Sequence, residues 1–370
     1  MRIAFVGGGT AGHFYPLIAI AEQLADHPKR PQLYYFGPEP YDQSLLTQYN
    51  IRFVSIPAGK TRRYFSIQNI LDIFRSLFGV FVAIGKLYSI YPDVVMSKGG
   101  YTSVPVLIAA RLLRVPVVIH ESDAAPGRAN RLARSFARYI GIAHPEVAAH
   151  FPAEKTALIG IPIRQALRSA HPDPFTYLGI PNDRPLIYVT GGSLGAERIN
   201  NLMLRMVKEL LPRYTIFHQT GAANQDELTL TAKALIDDPE LQQHYYIQGT
   251  VDPVTVNALM SAATLIITRA GSTTLFEIAL HGTPSIIIPI PESISHDQVK
   301  NAYSYARAGA AIVMEEENFT PSLLIAEIDS IIGNPERRET MSAAARELAT
   351  PDAAEKLASV LVAIGTEHGS

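Results

Sequence analysis

Six short stretches of this chain carry residue types that can hold an anion or move a proton, and each follows an apolar run. Gly7-Gly8-Gly9-Thr10-Ala11-Gly12-His13 follows Arg2–Val6, and Gly191-Gly192-Ser193-Leu194-Gly195 follows Leu186–Thr190. Glycine lets backbone N–H groups approach a ligand with no Cβ in the way, and a helix opening behind such a loop favours negative charge. Ser97-Lys98-Gly99-Gly100-Tyr101-Thr102-Ser103 adds more N–H groups and a lysine, so the first half holds two anion-binding loops, as a diphosphate needs. His120-Glu121-Ser122-Asp123 ends another run. The second half contributes Thr268-Arg269-Ala270-Gly271-Ser272-Thr273-Thr274-Leu275-Phe276-Glu277 and His296-Asp297-Gln298.

The residue types assign provisional roles. His13 places an imidazole at a helix start, where the dipole favours the neutral ring and leaves a basic nitrogen available. Ser272 or Thr273 is expected to cap a helix whose N–H groups receive phosphate, and Glu277, about one turn in, can take two hydrogen bonds from a ribose diol. Asp123 and Gln298 suit sugar hydroxyls. Gly7-x-Gly9-x-x-Gly12, with Glu39 near the ribose-binding spacing, also matches the dinucleotide fingerprint, which by itself reads as an oxidoreductase. His296-Asp297 lacks a third ligand, so no metal site is expected. No cofactor and no nucleic-acid partner are expected either.

Stepping from these loops to the elements that position them, short β-rich runs alternate with helical patterns. Strands are expected at Gln32–Phe36, Arg52–Ile56, Asp93–Met96, Val115–His120 and Tyr139–Ala143, with helices over Leu17–Ala25, Ile67–Tyr88 and Val104–Leu113. The pattern repeats with runs at Leu186–Thr190, Thr215–Gln219, Tyr245–Gln248, Thr264–Thr268, Pro284–Pro289 and Ala311–Glu315, and a helical tail interrupted near Thr350-Pro351-Asp352. Strand–helix alternation predicts parallel, doubly wound α/β sheets, and 370 residues suffice for two of them. The proline-rich stretch Ile161–Pro174 marks the junction.

Composition narrows the setting. There is no cysteine, which excludes a disulfide framework and thiolate chemistry and fits a reducing compartment. The chain enters its first strand at Arg2 without a charged leader, so export is not expected. Residues 1–164 hold 18 Lys and Arg against 10 Asp and Glu, whereas residues 165–370 hold 14 against 24. The basic first half is expected to face an anionic surface. Within it, Ile67–Tyr88 carries Ile70, Ile73, Phe74, Leu77, Phe78, Phe81, Val82 and Ile84, with Lys60, Arg62, Arg63, Arg75 and Lys86 around them. Only ten uncharged residues separate Arg75 from Lys86, short of the ~20 that span a bilayer. Two readings stay open for this segment: a core helix, or a patch lying on a membrane.

The segments GGGTAGHFYPLIAIAEQL, PDVVMSKGGYTSVPVLIAARLLRVPVVIHESD, TGGSLGAERIN, TRAGSTTLFEIALHGTPSIIIP and HDQVKNA resemble the MurG family of bacterial N-acetylglucosaminyltransferases, in family order over nearly the whole chain. The resemblance implies the GT-B architecture: two Rossmann-like doubly wound parallel-sheet domains facing a central cleft, here 1–163 and 164–340, with a C-terminal helix in 341–370 packing back on the first. It implies inverting transfer of GlcNAc from UDP-GlcNAc to the MurNAc 4-hydroxyl of lipid I, the undecaprenyl-diphosphate-linked acceptor, by a peripheral protein on the cytoplasmic face of an anionic inner membrane. Carried over by position, Thr10, Ala11, Gly12 and His13 lie near donor sugar and acceptor, Arg164 near the junction, and Ser193 in the second glycine loop. Val251 meets uracil through its backbone, Ser272, Thr273 and Thr274 meet the diphosphate, Glu277 the ribose, and Gln298 the GlcNAc. His13 is the expected general base, with Asp123 its competitor.

The chain departs from the family pattern at Asp123, where Asn is usual, at Asp297 and Leu194, where Gln is usual, at Glu197, where Arg is usual, and at Ile161, where Asn is usual. Other classes weighed are a UDP-GlcNAc 2-epimerase-like enzyme, another UDP-sugar:lipid glycosyltransferase of the same fold, and a non-catalytic nucleotide-sugar-binding subunit. The basic first half and its apolar stretch favour a lipid acceptor over epimerisation.

Overall fold

Among the described residues every strand pairing is parallel, which forces a crossover after each strand and puts helices on both sheet faces. The computed structural model describes residues 1–60, 67–192, 195–295 and 297–369. The strands are the apolar runs of the sequence; Ile3, Ala4, Phe5 and Val6, for example, are all fully buried, as a doubly covered sheet requires.

The chain divides into two compact units, Met1–Gln165 with Thr350–Ser370, and Ala166–Ala349. In the first unit the order is β1 (Arg2–Val6), α1 (Ala11–Ala25), β2 (Gln32–Gly37), α2 (Gln43–Gln48), β3 (Ile51–Ser55), α3 (Ile67–Ile90), β4 (Val94–Ser97), α4 (Val104–Leu112), β5 (Val117–Glu121), α5 (Arg128–Ala133), β6 (Tyr139–Ile142) and β7 (Thr156–Leu158). The second unit contains α6 (Pro174–Leu178), β8 (Leu186–Thr190), α7 (Glu197–Leu210), β9 (Thr215–Gln219), α8 (Gln225–Leu235), α9 (Pro239–Gln242), β10 (Tyr245–Gln248) and α10 (Pro253–Ala262). It continues with β11 (Leu265–Thr268), α11 (Ser272–His281), β12 (Ser285–Ile287), α12 (Gln298–Arg307), β13 (Ala311–Val313), α13 (Pro321–Ile332) and α14 (Pro335–Glu347). The last helix, α15 (Ala353–Gly369), returns to the first unit and buries Leu357, Leu361 and Val362 against α1 and the sheet.

The sheet orders are β3-β2-β1-β4-β5-β6-β7 and β10-β9-β8-β11-β12-β13. Each reverses direction once, between β1 and β4 in the first and between β8 and β11 in the second. The carboxyl ends of those strand pairs are where a doubly wound sheet opens a crevice for ligand. The glycine-bearing stretches after β1, β4, β8 and β11 all lie there.

Three elements differ from the sequence expectation. Helix α1 begins at Ala11, not Leu17, and contains Pro16. Proline costs that helix only the bond to Gly12, in the second turn, while Phe14, Leu17 and Ile18 bury against the sheet. Strand β7 is an edge strand of three residues, too short to show a period. Arg164 and Gln165 stay with the first unit, and residues 341–349 with the second, so the returning segment is α15 alone.

Candidate active site

In the first unit the loops after β1 and β4 interlock. The Tyr35 hydroxyl donates to the Gly7 carbonyl at 2.8 Å. A Cβ on Gly7 would lie 2.7 Å from Lys98 Cβ, and one on Gly8 2.8 Å from the Tyr35 hydroxyl. Gly100, at φ +80, brings its backbone against the Gly8 carbonyl and the His13 ring. Any larger residue here would push the loops apart.

His13 stands in the first turn of α1, and its Nδ1 is 2.9 Å from the Thr10 hydroxyl. Burial chiefly, and then the Lys98 ammonium, bring its pKa down to about 4 against the opposing pull of Asp123. The imidazole is therefore neutral at pH 7, as the sequence expectation had it, but the causes are desolvation and a neighbouring cation.

The end of β5 supplies the other ionisable groups. His120 Nε2–H donates to the Gly160 carbonyl at 2.7 Å, so its Nδ1 accepts from Lys98 Nζ at 2.5 Å. The ammonium also reaches Ser122 Oγ. Glu121 is buried, and burial followed by repulsion from Asp123 raises its pKa to about 7. Its carboxylate accepts from Gly127 N–H at 2.8 Å, Asn130 Nδ2 at 2.9 Å and Asp123 N–H at 3.3 Å, which fixes the loop carrying Asp123. Asp123 itself is half-buried and faces His144 electrostatically. Thr10, Ala11, Gly12, His13 and Asp123 are thus all at the β1–β4–β5 end. Arg164 is elsewhere in this unit: its guanidinium lies 4.1 Å from the centre of the Tyr15 ring and faces Asp42. Glu39 is exposed beside Lys60, Asp72 and Arg75.

At the matching strand ends the second unit presents mostly backbone and neutral groups, with Glu277 as the carboxylate beside them. Thr190 Oγ1 accepts from Gly192 N–H at 3.1 Å and donates to Gln219 Oε1 at 3.0 Å, where the Tyr188 hydroxyl also donates. Gly195 has φ +75, and a Cβ there would overlap the Thr220 carbonyl. Ser193 and Leu194 lie outside the described residues, as does His296.

The cap of α11 is Gly271, not the expected Ser272 or Thr273, and it makes no side-chain cap bond. Ser272 is instead the first helical residue and is buried, with Thr273 and Thr274 following half-buried. The first-turn N–H groups of a helix have no acceptor within it, so α11 aims donors and the positive dipole end at the crevice. Glu277 is in the second turn, half-buried and facing Tyr188 electrostatically. Gln298 Oε1 accepts from Ala270 N–H and Ile290 N–H, both at 3.2 Å. Val251 is half-buried against the apolar cluster around Tyr188 and Phe217 and precedes Asp252, which caps α10.

The sequence offered the residues of four supports but not their roles: Glu121, the Lys98–His120 pair, Asn301 and Arg269. Asn301 Nδ2 donates to the Ala270 carbonyl at 3.2 Å. Its spacing of three from Gln298 on one helix face was the available clue. Arg269 donates to the carbonyls of Ile288 and Pro289 and pairs with Glu316, which also holds Arg198. No group of three or more potential metal-ligating side chains occurs among the described residues.

Comparison with known proteins places this arrangement. Residues 3–142 match the glycosyltransferase family 28 N-terminal domain and residues 186–357 the glycosyltransferase family 28 C-terminal domain. A Shouchella clausii protein is 38% identical over 96% of this chain and 98% of its own length, and a Bacillus cereus protein 36% identical over 92% and 94%. Both are named UDP-N-acetylglucosamine--N-acetylmuramyl-(pentapeptide) pyrophosphoryl-undecaprenol N-acetylglucosamine transferase, the second with the suffix 2. Among solved structures, MurG of Acinetobacter baumannii superposes with a TM-score of 0.74 at 26% identity, covering 98% of this chain and 99% of that one. A UDP-GlcNAc 2-epimerase from Neisseria meningitidis superposes at 0.69 with 15% identity, covering 98% and 100%, which shows a shared fold alone.

Proposed function

The chain belongs to the MurG family within glycosyltransferase family 28, and from that premise we infer the activity its strand ends perform. It is a UDP-GlcNAc-dependent hexosyltransferase of peptidoglycan synthesis. It transfers GlcNAc to the MurNAc 4-hydroxyl of lipid I and so makes lipid II. In an inverting displacement the acceptor oxygen bonds to the anomeric carbon, the bond from that carbon to UDP breaks, and the acceptor proton passes to a base.

His13 is that base. The observation that carries the assignment is a half-buried, neutral imidazole held by Thr10 at the switch point of the first sheet. With Nδ1–H donating to Thr10 Oγ1, the Nε2 lone pair is available for the acceptor proton. Asp123 binds an acceptor or donor hydroxyl, and Glu121 holds its loop in place. In the second unit the α11 N-terminus, with Ser272, Thr273 and Thr274, stabilises the charge that develops on the departing UDP. Glu277 takes the ribose diol, Val251 meets the uracil and Gln298 meets the GlcNAc through its NH₂; Ser193 and Arg164 are substrate contacts on the family resemblance alone. The test is direct: incubate the protein with UDP-GlcNAc and lipid I and look for UDP and lipid II. Formation of the C2 epimer of the donor sugar, whether still joined to UDP or freed from it by hydrolysis, without lipid II would contradict the reading.

The protein also docks on the cytoplasmic membrane face through α3. Leu71, Phe74, Leu77, Phe78, Phe81 and Tyr88 are exposed on this helix, Phe81 by 73%, while Ala83 and Leu87 are buried against the core. Arg75 and Lys86 are exposed between them. Leu71–Ile90 is long and apolar enough to cross a membrane by length and composition, with mean hydropathy 1.5, which exceeds the expectation from the uncharged core alone. The buried side of α3, packed on α4, supports a helix lying on the surface instead. Arg62 and Arg63 lie outside the described residues.

A further inference from the structure

Lys98 is 2% exposed, the least accessible cation among the described residues, and the reaction as assigned above makes no use of it. Its stem packs against Gly7, and its ammonium donates to His120 Nδ1 and Ser122 Oγ. The acceptor nitrogen is fixed from behind, because His120 Nε2–H is spent on the Gly160 carbonyl and Asn130 holds the His120 carbonyl at 3.1 Å. A buried ammonium is costly to maintain, and an apolar side chain of the same length would fill the space without that cost. Stability does not account for the charge.

The charged or titratable groups facing Lys98 come from two elements: His13 from α1, and His120, Glu121 and Asp123 from the end of β5. His144 faces the cluster through Asp123. We propose that Lys98 is a positioning residue for glycosyl transfer, whose ammonium, clamped between His120 and Ser122, sets the electrostatic surroundings of His13 while the acceptor binds. The proposal rests on the assignment of His13 as base. A fixed cation disfavours a second positive charge on His13. Lys98 is itself brought down to about 8 by burial, against the pull of Glu121 and Asp123, so it remains an ammonium across the neutral range.

Two readouts on the full chain test this: the His13 midpoint by histidine-selective NMR titration, and the pH profile of kcat/KM for lipid I. In Lys98→Met both the His13 midpoint and the acid limb of kcat/KM rise by about one pH unit, equivalent to about a tenfold loss on the acid side. Lys98→Arg, which keeps the charge, leaves both near their wild-type positions. If neither readout moves in a folded Lys98→Met, the ammonium is only a packing group and the proposal is overturned. If the His13 midpoint moves while the acid limb stays, Lys98 tunes His13 but His13 is not the base, so the assignment under it is what fails. Should Lys98→Met not fold, the wild-type titration decides. A Lys98 already neutral at pH 6, or a His13 titrating near its ordinary value, overturns the proposal; a protonated Lys98 beside a His13 titrating well below that value supports it.

Discussion

The two units answer one topology with opposite electrostatics. At the switch point of the first sheet, His13, Lys98, His120, Glu121 and Asp123 crowd together, and burial shifts most of them. At the switch point of the second, the work falls to backbone N–H groups, the α11 dipole, Thr190, Gln219 and Gln298, with Glu277 as the carboxylate beside them. The difference teaches a division of labour. Proton movement needs titratable side chains in a dry place, whereas a nucleoside diphosphate is best held by dipoles that carry no proton and need no reorganisation.

The largest expected effect lies in the backbone of the second unit. Gly195→Ala forces a Cβ into the Thr220 carbonyl at φ +75, so it should destabilise by on the order of 3 kcal/mol or more and abolish UDP binding. Denaturant melts with UDP titration measure both. A folded variant with unchanged UDP affinity would break the claim that this loop's close approach positions the donor. Next in size, Glu277→Ala should lower kcat/KM for UDP-GlcNAc by about 2–4 kcal/mol in transition-state stabilisation. Unchanged kinetics would remove Glu277 from the site.

Stability against pH contrasts one group from each region by sign, although His13 and His120 in the first share the sign of His218. His218 in the second unit is held neutral by burial, its pKa lowered to about 3, with the Tyr245 hydroxyl and Asn200 on its nitrogens. The unfolded chain binds that proton first, so stability is lost as pH falls from about 6.5 toward 3, by up to about 1.4 kcal/mol per pH unit. Glu121 has the opposite sign. Its pKa is raised to about 7, so its folded state holds a proton the unfolded state has released, and stability falls as pH rises from about 4.5 to 7. Melts across pH 4–7 should show a shallower slope in His218→Gln and a steeper one in Glu121→Gln; slopes moving the same way would refute the contrast. The smallest effect is at the membrane. Phe81→Asp should weaken sedimentation with anionic liposomes by about 1.5–3 kcal/mol, the transfer energy of one such side chain, and leave turnover of a soluble acceptor analogue unchanged. Equal binding of wild type to neutral and anionic liposomes would remove the electrostatic part.

Much of this was legible in the sequence because parallel sheets write themselves as buried apolar runs. Leu186–Thr190, Thr215–Gln219 and Tyr245–Gln248 fall where those runs stand. The glycine loops were legible too, since only glycine permits the approaches at Gly7, Gly100 and Gly195. What stayed hidden depends on elements distant in the chain. Glu121 staples Gly127 and Asn130, Lys98 meets His120 across β4 and β5, and Arg269 meets Glu316 across 47 positions. No spacing rule encodes such meetings. The start of α1 was hidden for another reason, since Pro16 reads locally as a break and only the burial of its neighbours outweighs it.

The central claim is that the proton moves at His13 and that Asp123, for all its charge, only binds. Single-turnover rates with saturating UDP-GlcNAc and lipid I, for His13→Ala, Asp123→Asn and the double variant, test it most directly. The account predicts a loss of about 10²–10⁴-fold for His13→Ala, a much smaller loss for Asp123→Asn, and a double variant little worse than His13→Ala. If Asp123→Asn loses orders of magnitude while His13→Ala barely slows, the roles are reversed and the account is wrong.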